Sequence, residues 1–114
     1  MTKPLASIFE RLRAILIPYA IDAIVVHDSA EHFYLNASKP DSKGKPVFLA
    51  AAKIGAGKVV FHLMPLYFQP ELLTTISPEL KKRMQGKSCF NFAMVDEELF
   101  CQLEALTKQA ILEP

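Results

Sequence analysis

The sequence predicts an α+β fold: a mostly antiparallel, five-stranded sheet with helices packed on one face. Three observations indicate this fold. Apolar residues recur at helical spacing near both ends of the chain, and short runs rich in β-branched and aromatic residues lie between them. Short connections join these runs, with no alternation of strand and helix, so we expect hairpins and not parallel crossovers. The predicted order of elements is α-β-β-β-β-α-α-β-α.

The size and charge of the chain limit the classes of function. Its 114 residues fit one domain over residues 1–114, since typical domains contain about 100–150 residues. Thirteen Lys and Arg side chains against twelve Asp and Glu give a net charge of +1, which lacks the positive field of nucleic-acid and membrane-surface binders. Two cysteines are too few for a disulfide framework. We expect a cytoplasmic protein with no nucleic-acid or membrane partner.

The first helix is predicted from Pro4 to about Ile17, with Pro18 at its end or at a kink. Residues 14–21 are apolar and follow two arginines, loosely like a signal peptide, but Asp22 ends the apolar run far below membrane length. The helical spacing of the apolar residues favours an amphipathic helix. These residues are Leu5, Ile8, Phe9, Leu12, Ile15 and Leu16.

Two hairpins are predicted next. The first joins residues 23–27 to residues 32–37 through a four-residue connection, and the second joins residues 47–53 to residues 58–64 across Ile54-Gly55-Ala56-Gly57. Residues 38–46, rich in Lys, Pro, Gly and Ser, form the loop between the hairpins. Alternation predicts one set of side chains facing water, namely His32, Tyr34 and Asn36, and another facing the core, namely Phe33, Leu35, Ala37, Val59, Phe61 and Leu63.

Helical signals return after Pro65. One short helix opens at Pro70, and another has Ser77 as its N-cap and Gly86 as its C-terminal stop. A fifth strand is predicted at residues 88–94. Asp96 then caps a last helix with an apolar face. That face consists of Leu99, Phe100, Leu103, Leu106 and Ala110.

Gly86-Lys87-Ser88 matches the last three residues of a phosphate-binding loop. That loop requires a further glycine five residues earlier, where Lys81 stands, and it must follow a strand and open a helix. Here the predicted order is reversed, so a nucleotide loop is rejected. A weaker hypothesis is retained, in which Lys82, Arg83 and Lys87 form a basic rim that holds an anionic group.

Three other chemistries are considered. His27 and His32 flank a hairpin end and can form a weak metal site, although a solvated hairpin end is favoured. Cys89 can act as a nucleophile only if a base such as His62 approaches it, and a small core residue is the favoured interpretation. The aromatic side chains are assigned to the core and not to base stacking. They are Phe48, Phe61, Tyr67, Phe68, Phe90 and Phe92.

The segment at residues 63–92, which contains SPELKKRMQGKSCFNF, together with residues 95–100 and the preceding hairpin, resembles the YdhG-like family of small bacterial domains of unknown function. The resemblance covers about the last two-thirds of the chain. It implies a compact α+β domain of the bacterial cytoplasm and no established reaction.

Part of that family has been compared with frataxin-like iron chaperones, which resemble one another in an acidic ridge on the first helix and the adjacent strand. This sequence departs from that pattern. Its first helix carries Glu10 beside several cations, and Asp22, Asp28 and Glu31 are dispersed. Carboxylate clustering, which hard cations require, is missing.

The sequence therefore predicts a non-enzymatic module that binds a small anionic ligand or a protein partner. No catalytic residue, metal ligand or cofactor is assigned. A frataxin-like iron-handling protein and a small enzyme using Cys89 or a histidine remain the alternatives. The predicted ligand-binding residues are Lys82, Arg83, Lys87, Ser88 and Asn91.

Overall fold

The fold was analysed in a computed structural model that describes residues 4–112. Residues 1–3 and 113–114 of the predicted domain lie outside the described part. The strands are β1 (Ala23–Asp28), β2 (His32–Ala37), β3 (Phe48–Ile54), β4 (Val59–Leu63), β5 (Met84–Gln85) and β6 (Cys89–Phe92). The helices are α1 (Pro4–Ala20), α2 (Pro65–Phe68), a 3₁₀ helix (Pro70–Thr75), α3 (Pro78–Lys81) and α4 (Glu97–Leu112).

The six strands form one antiparallel sheet in the order β1-β2-β3-β4-β6-β5. The α+β class and the antiparallel sheet are confirmed, but the prediction of five strands and the predicted order of elements are wrong. The additional strand, β5, has only two residues, and Met84 and Gln85 pair with Phe90 and Cys89. A strand of two residues is too short to show an alternation of apolar and polar side chains, so this segment was predicted as the end of a helix.

Helix boundaries differ from the prediction where the chain turns tightly. α3 ends at Lys81, and Gly86, predicted to stop that helix, lies in the β5–β6 connection with φ of +77°. The helical turn α2 was not predicted. α1 continues through Pro18 to Ala20, since a proline in the last turn removes only one helical hydrogen bond. No helix of the described part is long and apolar enough to span a membrane.

Both predicted N-caps are confirmed by hydrogen bonds. The Ser77 hydroxyl accepts a hydrogen bond from the Leu80 amide at 3.2 Å, and the Asp96 carboxylate accepts one from the Leu99 amide at 3.2 Å. Each cap satisfies an amide in the first turn of its helix, which has no partner within the helix. These caps fix where α3 and α4 begin.

The core lies between one face of the sheet and the two long helices, α1 and α4. Of the predicted inward residues, Phe33, Leu35, Val59, Phe61 and Leu63 are buried, as expected from alternation, and Ala37 at the end of β2 is half-buried. Phe90 and Phe92 of β6 lie in the same core, and the Phe92 ring contacts the Phe100 ring of α4. From the helices the core receives Ile8, Phe9, Leu12, Ile15, Leu16, Leu99, Phe100, Leu103, Leu106 and Ala110.

The opposite face of the sheet, called the open face below, is not covered by α1 or α4. A β-bulge in β3 places one residue there that simple alternation does not: Leu35 pairs with Ala50, whereas Asn36 pairs with Phe48. The register shift turns the Phe48 ring toward Tyr34 and His62. The open face includes Ile24, His27, His32, Tyr34, Asn36, Phe48, Ala51, Lys53, Val60, His62, Cys89 and Asn91.

Candidate functional site

All three histidines of the chain lie on the open face. The His27 and His32 rings stack at a centroid distance of 4.7 Å, which places the two predicted hairpin-end histidines side by side. Tyr34 meets both rings edge-on, at 5.9 Å from His27 and 5.7 Å from His32. The turn between the strands is held by Ser29, whose hydroxyl accepts a hydrogen bond from the His32 amide at 3.1 Å.

The row of rings continues across the sheet through Phe48. Its ring centroid lies 4.7 Å from that of Tyr34 and 4.6 Å from that of His62. Offset and edge-to-face contacts at these distances are the favoured arrangements of aromatic pairs. The rings of His27, His32, Tyr34, Phe48 and His62 thus form a continuous band from β1 to β4. We call these five residues the aromatic band.

The aromatic band borders an open depression of about 450 Å³. Ala51 lies at its centre, because its cross-strand neighbours are Tyr34 on β2 and His62 on β4, both much larger. A small side chain between two large ones leaves a hollow in an otherwise level sheet surface. We call it the aromatic depression. The remaining lining residues are His32, Phe48, Lys53 and Val60.

Burial disfavours the charged form of the two histidines that line the aromatic depression. Desolvation lowers the pKa of His62 below its usual 6.5. The pKa of His32 is lowered by burial first, and further by the neighbouring His27 and Lys53. Both effects disfavour the imidazolium form. Lys53 is exposed, and it forms no ion pair with another residue in the range 4–112. Among the described residues it is the one Lys, Arg, Asp or Glu side chain that lines the depression.

Three of the five predicted ligand-binding residues come together. Lys82, Arg83 and Asn91 line a second depression of about 340 Å³, which we call the basic depression. The structure adds Lys58, which the sequence analysis missed because it lies 24 positions before Lys82 and is brought close only by the sheet. Among the described residues, none of these cations forms an ion pair.

Asn91 is held in place from two sides. Its backbone amide donates to the Arg83 backbone carbonyl at 2.7 Å, and its side-chain nitrogen Nδ2 donates to Gln85 Oε1 at 2.7 Å. The side-chain oxygen Oδ1 is buried and has no hydrogen-bond partner in the described part of the chain. Asn91 neighbours Val60 across the strands, so the basic depression lies one strand beyond the aromatic depression on the same sheet.

The other two predicted residues do not join this group. The Lys87 ammonium lies 5.4 Å from the centre of the Tyr67 ring. Ser88 is buried, and its hydroxyl oxygen lies 2.9 Å from His62 Nε2. Ser88 therefore supports a residue of the aromatic depression and is not an exposed donor. The five predicted residues belong to two different parts of the surface.

The surroundings of Cys89 and the positions of the histidines and carboxylates bear on the cysteine and metal hypotheses. Cys89 is half-buried on the open face with Asn91, not in the core, and is the cross-strand neighbour of His62. The His62 ring nitrogen, however, is hydrogen-bonded to Ser88, and burial raises the pKa of the Cys89 thiol. A raised pKa lowers the fraction of nucleophilic thiolate. Within the described residues, no group of three or more His, Cys, Asp or Glu side chains is placed to hold a metal ion.

A further depression lies between the 3₁₀ helix and α4 and measures about 560 Å³. Two of its polar groups serve the fold, because the Ser77 hydroxyl caps α3 and donates to Gln102 Oε1 at 2.6 Å. Exposed Lys108 and Gln109 also line it. Among the described residues its lining includes no aromatic ring, whereas the rings of His32, Tyr34, Phe48 and His62 line the aromatic depression.

The assignment of aromatic residues to the core is only partly correct. Phe61, Phe90 and Phe92 are buried, whereas Tyr67 and Phe68 are exposed at 52% and 72%. Phe48 is half-buried on the open face. Alternation alone would have placed His62 and Tyr34 on a common outward face, but the bulge that adds Phe48 leaves no signal in the residues themselves.

Comparison with protein-family models, with curated proteins and with solved structures yields no match to this chain.

Proposed function

We propose that this protein is a non-enzymatic binding module of the bacterial cytoplasm whose ligand or protein partner contacts the open face. The observation that carries the proposal is the aromatic band: five ring side chains in continuous contact on the side of the sheet that α1 and α4 leave uncovered. The uncovered side of an antiparallel sheet is normally polar. Aromatic surface that is neither core nor solvated polar surface is typical of binding sites.

The composition of the open face favours binding over catalysis. His32 and His62 have lowered pKa values because of burial, and within residues 4–112 neither hydrogen-bonds to a carboxylate. A general base usually needs such an orienting partner to hold it and to raise its basicity. The Cys89 thiol has a raised pKa. No specific observation therefore favours the alternative of an enzyme using Cys89 or a histidine.

The iron-handling alternative also receives little support from the acidic residues. Asp28, one of the dispersed acids of the first hairpin, accepts hydrogen bonds from the Arg13 guanidinium at 2.9 and 3.1 Å. Glu97, at the start of α4, is paired with Arg11. Carboxylates that are already neutralised by arginine are poorer ligands for hard cations.

The test of the proposal is an amide-resolved NMR screen of the full chain against chemically diverse small molecules. We expect the saturable shifts to fall on residues 32–36, 48–53 and 60–62. The proposal would be overturned if ligands shifted only other surfaces, or if no compound gave a saturable shift. Compounds that shift only the depression between the 3₁₀ helix and α4 show what binding away from the open face looks like in the same screen.

A second candidate is the anion-binding function predicted from Lys82, Arg83 and Asn91. It is favoured by the basic depression, in which Lys58 adds a third cation beside the small residues Gly57 and Ala93. Closely spaced cations without carboxylate partners provide charge-assisted hydrogen bonds to phosphate or sulfate. Lys87 and Ser88 do not contribute to this candidate.

Inorganic phosphate and sulfate test the second candidate. Arg83→Gln and Lys82→Gln are expected to abolish saturable shifts around the basic depression. Lys81→Gln is the matched control, because Lys81 is exposed and directly precedes Lys82 at the end of α3 but does not line the depression. Equal loss of binding in all three variants would indicate nonspecific attraction and would contradict a defined site.

We also propose that the chain belongs to the YdhG-like family, on the basis of SPELKKRMQGKSCFNF at residues 77–92. This segment covers α3, the short strand β5 and β6. If the proposal is correct, experimental structures of YdhG-like proteins that carry this segment will show the strand order β1-β2-β3-β4-β6-β5. A different position for the short strand would contradict it.

A further inference from the structure

We propose that the aromatic depression binds a small molecule with a planar aromatic or heteroaromatic ring and an anionic substituent, the ring lying over Ala51 and the anion beside Lys53. This inference rests on the proposed function, because it names the ligand of the same open face.

The shape of the depression favours a flat group. Ala51 and Val60 present short apolar side chains, while Tyr34 and His62 stand on either side of Ala51 on the adjacent strands. A ring placed over the Ala51 methyl group can meet the neighbouring rings by offset or edge-to-face contacts. A branched aliphatic group would reach the same methyl group but would lack these ring contacts.

The volume is suited to a small ligand. About 450 Å³ lies within the range of ordinary small-molecule sites, which run from about 300 to 1,000 Å³. Such sites combine an apolar lining with a few placed polar groups. In the aromatic depression the apolar part is made by Ala51, Val60 and Phe48, and the polar part by Lys53 and the two imidazoles.

The charge of the depression favours an anion. Lys53 lies two residues beyond Ala51 along β3, and its strand neighbours are His32 and Val60. Within the described residues, no Asp or Glu side chain lines the depression, and Lys53 has no ion-pair partner. A carboxylate, sulfonate or phosphate on the ligand would supply that partner.

A single-stranded nucleic acid would also combine rings with negative charge, but the aromatic depression itself suits it poorly. RNA-binding sheets track the backbone with several basic residues. Among the described residues one lysine lines the aromatic depression. The cations of the basic depression lie one strand away, and the chain as a whole carries a net charge of only +1. One cation beside one ring-sized hollow matches a single small anion.

The probe for the test is 2-naphthoate, titrated into the full labelled chain and followed by amide and histidine ring NMR signals. Two matched probes separate the ring from the charge: naphthalene-2-methanol keeps the ring without the anion, and cyclohexanecarboxylate keeps the anion without the ring. We expect saturable shifts from 2-naphthoate at residues 32–34, 48–53 and 60–62. Each matched probe should bind at least about fivefold more weakly, since each lacks one of the two contacts.

Two variants locate the site. Lys53→Gln is expected to weaken 2-naphthoate binding by about fivefold and to leave naphthalene-2-methanol unaffected. Ala51→Leu should abolish the saturable shifts, because the larger side chain fills the hollow between Tyr34 and His62. The matched controls are Lys45→Gln and Ala56→Leu, at exposed positions outside the depression. A well-dispersed amide spectrum that changes only near the substituted residue verifies that each variant remains folded.

The outcomes separate this inference from the function on which it rests. If 2-naphthoate fails to shift the open face while other small molecules shift it, the ligand class is wrong and the binding module stands. If neither these probes nor any compound of the chemically diverse screen shifts the open face, both fail. Binding that survives both variants unchanged, or an oligouridine that binds more tightly than 2-naphthoate, overturns the inference.

Discussion

His62 Nε2 lies 2.9 Å from the hydroxyl oxygen of Ser88, and this contact joins the centre of the sheet to the turn that carries Gly86-Lys87-Ser88. His62 lies on β4 and is half-buried on the open face, while Ser88 is buried just before β6. The adjacent backbone is paired as well, since the Leu63 amide donates to the Ser88 carbonyl at 2.9 Å. The serine of the apparent phosphate motif therefore orients an imidazole.

The first prediction concerns this hydrogen bond. Ser88→Ala should lower the free energy of unfolding by about 1 kcal/mol, because it removes the partner of a half-buried ring nitrogen. His62→Phe keeps a ring of similar size without the polar atoms. In a double-mutant cycle measured by urea unfolding, the two substitutions should be coupled by about 0.5–1.5 kcal/mol. Additive effects would show that the contact contributes nothing to stability.

The second prediction concerns pH. The pKa values of His32 and His62 are lowered in the folded state, so the unfolded chain binds more protons between the lowered values and the usual 6.5. Stability should therefore be constant above the unfolded value and decrease as the pH falls below about 6.5.

Urea unfolding between about pH 5 and pH 8 measures this dependence. The variant carrying both His32→Gln and His62→Gln should show a flatter profile across that range. Glu97 acts in a separate, more acidic window: its hydrogen bond to Arg11 lowers its pKa below 4.5, so its contribution is lost only under more acidic conditions. A profile as steep in the double variant as in the parent protein would contradict the assignment to these histidines.

The third prediction concerns Gly86. Its φ of +77° lies in the left-handed region, where a side chain costs about 1–2 kcal/mol. Gly86→Ala should lower the free energy of unfolding by about 1 kcal/mol, even though nothing lies within 4 Å of the added methyl group. Chemical denaturation at a fixed pH measures the change.

Gly55→Ala is the matched control for Gly86→Ala. Gly55 also lies in a hairpin connection, but its φ is outside the left-handed region, and an added methyl group would meet the Lys58 carbonyl at an ordinary 3.6 Å. This variant should change stability by less than about 0.5 kcal/mol. An equal loss in both variants would mean that general turn flexibility, and not the positive φ, sets the cost.

The fourth prediction contrasts two phenylalanines that the sequence assigned to the same core. Phe61 is fully buried on β4, whereas Phe68 is 72% exposed at the end of α2. Phe61→Ala should cost about 3–5 kcal/mol, because it removes buried apolar surface and leaves a cavity. Phe68→Ala should cost less than about 0.5 kcal/mol. The midpoint of thermal unfolding ranks the two variants, and a comparable loss at Phe68 would contradict its exposure.

The amino-acid pattern alone was sufficient to predict the α+β class, the positions of four strands in two hairpins and the inward-facing side chains of β2 and β4. Ser77 and Asp96 were also recognised as caps. These features depend on interactions between residues close together in the chain: alternation along a strand, helical periodicity, and a side chain that bonds an amide three residues ahead. Because these interactions involve residues that are near one another in the chain, the sequence alone predicts them.

Tertiary packing decided the features that involve distant residues. β5 forms because Met84 and Gln85 pair with the edge of β6. The Phe48 ring lies on the open face because a β-bulge shifts the register of β3 against β2. Lys58 joins Lys82 and Arg83 across the sheet, while Lys87 and Ser88 separate from them. Strand register and bulges arise from pairing between segments far apart in the chain, and no local pattern records which side chains that pairing will bring together.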